Sequence, residues 1–200
     1  MSILKIIEIL AILVGAFSGF IEARSKRMDV VGVFTVAFIT AFGGGTLRDI
    51  LLDKRPLFWV THQEYAILIF LLSLVAAPAI RTLRKIISER LIVVADAFGL
   101  ALFSIAGVAE AIDAGMPIFI ASMMGVITGI FGGILRDIVC NEIPMVLRDG
   151  RPYAICSFGG CWAYLLMLQA GIPADFALWS SALLIVGARL LTWWRGVKLQ

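Results

Sequence analysis

Shifted against itself by 88 residues, the chain matches itself without a gap from residue 8 to residue 70. The shift pairs GlyGlyThrLeuArgAspIle at 44–50 with GlyGlyIleLeuArgAspIle at 132–138. It also pairs Gly19 with Gly107, Glu22 with Glu110, Met28 with Met116, Thr40 with Thr128, Pro56 with Pro144 and Tyr65 with Tyr153. Identity reaches 17 of 63 aligned positions, about three times what a biased apolar composition would supply. A chain built this way folds as two copies of one unit.

Each copy holds three apolar runs, and one more run follows them. A helix needs about 20 mostly apolar residues to cross the hydrocarbon of a bilayer. Seven stretches qualify: 3–23, 30–52, 58–80, 91–112, 116–139, 153–170 and 173–194. With 61% hydrophobic and only 16% charged residues, the chain lies outside the range of soluble domains. The first run carries Glu8 and lacks a basic leader and a small-x-small cleavage site, so it reads as a helix rather than a signal peptide. Three spans is an odd number, so the second copy enters the membrane from the opposite face. The expected fold is therefore all-α and integral to the membrane. Its seven transmembrane helices form two inverted three-helix repeats, 3–80 and 91–170, plus a seventh helix at 173–194, all within one domain, 1–200.

Lysine and arginine set the direction. Arg24, Lys26, Arg27, Arg81, Arg84, Lys85, Arg90, Arg148, Arg151, Arg195 and Lys198 fall on one side, against Lys5, Lys54 and Arg55 on the other. The N-terminus is expected outside and the C-terminus in the cytoplasm. A net charge of +3 is too small to indicate a nucleic-acid partner.

The positions that carry chemistry lie inside the spans. Gly43, Gly44 and Gly45 sit within the second run, and Gly132 and Gly133 occupy the matching place in the fifth. Each glycine in a helix costs roughly 1 kcal/mol relative to alanine. A symmetric run of them is expected to kink both helices and turn backbone oxygens toward a polar path; close helix packing is the alternative. Thr40, Thr46 and Thr128 would add hydroxyls to that path, or back-bond to their own helices.

Buried charge points the same way, because ionisable groups within a membrane mark pathways and partners. Glu8, Glu22, Arg48, Asp49, Asp96, Glu110, Arg136, Asp137 and Arg189 all fall within spans. Neighbouring helix residues point about 100° apart, so Arg48 and Asp49 are each expected to find partners elsewhere. By depth, Arg48 pairs with Glu8 or Glu110, and Arg136 with Asp96 or Glu22. Rearrangement of such pairs would gate the path. Cys140, Cys156 and Cys161 have no metal or redox spacing and read as packing residues. The lone histidine, His62, sits in a loop, and no catalytic set, phosphate loop or metal-ligand cluster is present. Neither enzyme activity nor a cofactor or metal is expected.

With GlyGlyGlyThrLeuArgAsp at 43–49 and GlyGlyIleLeuArgAsp at 132–137, the sequence resembles the prokaryotic branch of the trimeric intracellular cation (TRIC) channel family over nearly its whole length. The resemblance implies a homotrimer in lipid, and the compact form makes a prokaryotic plasma membrane the expected location. Each subunit would have its own pore, permeable chiefly to potassium and less selectively to sodium. It implies a pore lined by Gly43, Gly44, Gly45, Thr46, Arg48 and Asp49 in one half and by Gly132, Gly133, Arg136 and Asp137 in the other. The same module has also been labelled a glycine transporter domain. A secondary transporter for a small amino acid is therefore the competing expectation. A purely structural scaffold would leave so many buried charges without a purpose.

Overall fold

A computed structural model describes residues 3–82, 89–148, 150 and 152–197. Arg84, Lys85, Arg151 and Lys198, part of the expected cytoplasmic charge, lie outside the described residues. The described residues form nine helices. These are α1 (Ile3–Ser25), α2 (Val30–Leu51), α3 (Phe58–Thr61), α4 (Gln63–Thr82), α5 (Glu89–Asp113), α6 (Ile118–Val139), α7 (Met145–Arg148), α8 (Tyr153–Gln169) and α9 (Ala174–Trp194). Five of them, α1, α2, α5, α6 and α9, are long and apolar enough to cross a membrane. Gln63–Ala76 and Tyr153–Gln169 are shorter apolar helices.

One expected span needs correction. The run 58–80 is not a single helix, because the backbone at His62 (φ −119°, ψ 54°) ends α3 before α4 begins. The helix α7 carried no signal in the sequence, since four residues are too few to show a period.

Local chemistry sets the helix ends. The Asp29 carboxylate accepts from the Gly32 amide at 2.8 Å and caps α2. Beyond the C-termini of α2 and α6, Asp53 (φ 52°) and Asn141 (φ 56°) adopt the left-handed conformation, which short polar side chains tolerate. Each lets the next amide reach back, Lys54 N to Asp49 O at 2.8 Å and Glu142 N to Asp137 O at 2.9 Å. These stops are 88 residues apart, as the repeat requires.

The bundle is organised around α5, which packs on α1, α6, α8 and α9. Its small residues Ala97, Ala101 and Ala106 are fully buried and admit close neighbours. One apolar core joins α5 to α8 and α9, and a second joins α1, α2 and α4 through Val33, Val36, Ala37 and Ile69. Large apolar side chains such as Phe17, Leu71, Val75, Phe119 and Leu183 face outward. Lipid solvates such a surface as well as a protein core would. The chain is an all-helical integral membrane protein.

Candidate functional site: two buried charge clusters

The glycines sit where α2 crosses α6. A side-chain carbon on Gly44 would lie 2.1 Å from the Thr128 carbonyl oxygen, and one on Gly132 would lie 2.6 Å from the Thr40 carbonyl oxygen. The two backbones therefore touch in a reciprocal contact that no larger residue permits. Both helices run without interruption through their glycines, and the close packing weighed as the alternative is present at this crossing. Thr40 and Thr128 donate to their own helices, to Val36 O at 2.6 Å and Met124 O at 2.7 Å.

Beyond each end of this crossing lies a buried charge cluster. In the first, Arg48 Nη1 donates to Glu8 Oε1 at 3.0 Å, and Nε donates to Asp49 Oδ1 at 2.9 Å. The other oxygen of Asp49 accepts from the amide of Phe58, the first residue of α3, at 3.2 Å. In the second, Arg136 Nη1 donates to Asp96 Oδ1 at 3.2 Å, and Nε donates to Asp137 Oδ1 at 2.8 Å. Asp137 Oδ2 accepts from the amide of Met145, the first residue of α7, at 2.8 Å. The three charged residues of one cluster match those of the other at the 88-residue shift.

Adjacent Arg and Asp do meet, contrary to the sequence expectation. Their Cβ directions diverge, but the arginine stem is long enough to curl its guanidinium back onto the next carboxylate. That leaves a fork nitrogen for the acid on the neighbouring helix. The choices left open by depth are resolved as Glu8 for Arg48 and Asp96 for Arg136. Glu110 instead takes Lys54, and Glu142 takes Lys26, so an ion pair ties the two halves of the chain at each end of the crossing. The hydrogen bond from Lys26 to Glu142, with Glu22 also nearby, holds the Lys26 ammonium above the ordinary lysine range.

The clusters differ in their surroundings. Arg136 also donates to Ser18 Oγ at 2.6 Å; the matching position, Ala106, has no hydroxyl to offer its partner. Tyr153 lies beside Asp96 and Arg136, whereas its counterpart Tyr65 stacks with Phe58 and His62. Arg189 of α9 is buried with its guanidinium 4.5 Å from the Tyr153 ring centre. Its Nη2 reaches Met145 Sδ at 3.4 Å, and its Nε and Nη1 have no hydrogen-bond partner among the described residues. The sequence marked Arg189 as a charge in a span but gave no sign of this neighbour.

Each cluster borders a small cavity. The first, about 20 Å³, is lined by Glu8, Thr46, Arg48, Trp59 and Phe103. The second, also about 20 Å³, is lined by Ser18, Asp96, Phe103, Gly133, Arg136 and Tyr153. Each has room for about one water. Among the described residues no group of His, Cys, Asp and Glu is arranged to hold a metal ion.

Known proteins share this architecture. The family model described as glycine transporter matches the chain twice, over residues 5–80 and 93–169, and its two matches begin 88 residues apart. The UPF0126 inner membrane protein YadS of Escherichia coli K12 is 40% identical over 171 residues, 86% of this chain and 82% of that protein. A UPF0126 membrane protein of Vibrio cholerae is 37% identical over 179 residues, 90% of this chain and 74% of that one. Among solved structures, the TRIC trimeric intracellular cation channel orthologue from Rhodobacter sphaeroides superposes with a TM-score of 0.88 at 30% identity, over 98% of this chain and all of that one. A structure solved to explain conductance through TRIC cation channels superposes with a TM-score of 0.86 at 31% identity, over all of this chain and 97% of that one. The chain belongs to the prokaryotic branch of the TRIC family, whose repeated module the glycine-transporter model describes.

Proposed function

We propose that this protein is a passive monovalent cation channel, permeable mainly to potassium and also to sodium, with one pore in each subunit of a homotrimer. The path follows the glycine-bearing faces of α2 and α6 from one charge cluster to the other. On this reading the seven apolar segments span the membrane as two inverted repeats, 3–80 and 91–170, with 173–194 as the last helix. The N-terminus lies outside and the C-terminus in the cytoplasm. The residues proposed to line the path are Gly43, Gly44, Gly45, Thr46, Arg48 and Asp49 with Thr128, Gly132, Gly133, Arg136 and Asp137.

The observation that carries this reading is the composition of the clusters. Each sets two carboxylates against one guanidinium, Glu8 and Asp49 around Arg48, and Asp96 and Asp137 around Arg136. In the first cluster this leaves a surplus of acid, which in a low-dielectric wall attracts cations and repels anions. In the second, Arg189 beyond the Tyr153 ring offsets part of it. Conduction needs the guanidinium to shift within its pair of acids, and these pairs act as the gates. The structural relatives described as cation channels support the same reading.

The description of the family model favours a second reading, a carrier for a small amino acid, since a guanidinium beside a carboxylate can hold a zwitterion. A cavity sized for one water is too small for glycine in this conformation. Flux assays separate the two readings. A channel passes thallium or potassium without saturating at low millimolar concentration, and a carrier takes up labelled glycine with saturation.

A further inference from the structure

The two cavities share one lining residue, Phe103 of α5. The residue is 9% exposed. Its ring fills the gap left by Gly15 of α1, where an added side-chain carbon would lie 3.2 Å from the ring atom Cε2. The 88-residue shift pairs Phe103 with that same Gly15. A residue that touches its own counterpart lies on the axis relating the two copies. Glu8 precedes Gly15 by the same seven residues that separate Asp96 from Phe103. Seven residues of helix rise about 10 Å, so the ring sits midway between the two charge clusters. One copy contributes a benzyl group at this level and the other only a hydrogen, so the phenyl ring closes the space between the cavities.

We propose that Phe103 is the barrier to conduction. It is an apolar ring at the centre of the path that keeps the two ion-facing cavities apart, and the path opens when the ring leaves the Gly15 gap. This inference rests on the channel reading. Apolar constrictions gate by dewetting, since an ion cannot shed its water against a surface that offers no ligand. The charge clusters then select and concentrate cations at each mouth, and the ring decides whether the mouths communicate. Rearrangement of Arg48 or Arg136 alone would open a mouth and leave the centre shut.

Single-channel recording of Phe103→Ala against wild type tests the inference, with the trimer of each checked by gel filtration and thermal melting. The expected result is a rise of about tenfold in open probability for Phe103→Ala, with Phe103→Leu between the two. A Phe103→Ala protein that assembles like wild type and conducts like wild type overturns the inference while leaving the channel reading intact. If the alanine variant does not assemble, Phe103→Leu decides by the same criterion, since it keeps an apolar side chain and removes the ring. A wild-type protein that carries no current overturns the channel reading, and the barrier with it.

Discussion

Arg136 and Asp96 meet at 3.2 Å across 40 residues of sequence, and Arg48 and Glu8 meet at 3.0 Å across the same separation. Both contacts join a glycine-bearing helix to the helix that begins its own half of the chain. A guanidinium held in this way has a second acid within reach, on the residue that follows it. It can therefore shift between carboxylates without ever standing unpaired. On the proposed channel reading, that arrangement suits a moving gate better than a fixed strut.

Removing one partner from a buried pair strands the other, at about 3–5 kcal/mol. Arg136→Ala is therefore expected to lower the thermal midpoint of the detergent-solubilised protein and to change open probability in the trimers that remain. Arg48→Ala should act in the same direction and less strongly on stability, because Glu8 is 14% exposed and can be solvated. Wild-type melting and gating in both variants would contradict the role given to the pairs.

The crossing of α2 and α6 makes a sharper demand. Gly44→Ala would drive a methyl to within 2.1 Å of the Thr128 carbonyl oxygen, and the helices must move apart to accept it. Overpacking of this kind costs about 1–3 kcal/mol. Gly159→Ala, where an added carbon meets nothing within 4 Å among the described residues, should be neutral or slightly stabilising. Paired melting curves of the two variants check the contrast.

Asp137 holds Arg136 with one oxygen and the Met145 amide with the other. Asp137→Ala should therefore loosen the 140–147 segment as well as the cluster. Hydrogen exchange read by mass spectrometry should show faster exchange there than in wild type. Asp49→Ala should do the same for the segment leading into α3, through the Phe58 amide.

Cation preference should follow the acids. Glu8→Gln and Asp96→Asn each remove one negative charge from one mouth, and each is expected to lower the permeability ratio of potassium to chloride. The two sites are far enough apart for their effects to add. Reversal potentials in a KCl gradient give the ratio directly. An unchanged ratio in the double variant would place the selectivity elsewhere.

Much of this was legible in the sequence because membranes impose strict rules. A helix must be long and apolar to cross, which exposed α1, α2, α5, α6 and α9. The 88-residue match then showed that Arg48 and Arg136 have equivalent settings. Depth along the helices narrowed each partner to two acids but could not choose between Glu8 and Glu110, since both lie at similar heights. Direction misled at Arg48 and Asp49, because the angle between Cβ atoms says little about where a long side chain ends. The glycines left kinking and close packing both open, and the contact of Gly44 and Gly132 with the facing backbone shows the packing; a glycine's cost in an isolated helix says nothing of the neighbour that requires it. Phe103 had no signal at all. A phenylalanine in an apolar run is ordinary until the fold places it against Gly15.

The channel reading is tested most directly by planar-bilayer recording of the purified wild-type protein under a KCl gradient. The account predicts discrete current steps that reverse near the potassium equilibrium potential. A silent bilayer, together with saturable glycine uptake by proteoliposomes of the same preparation, would contradict it and establish a carrier in its place.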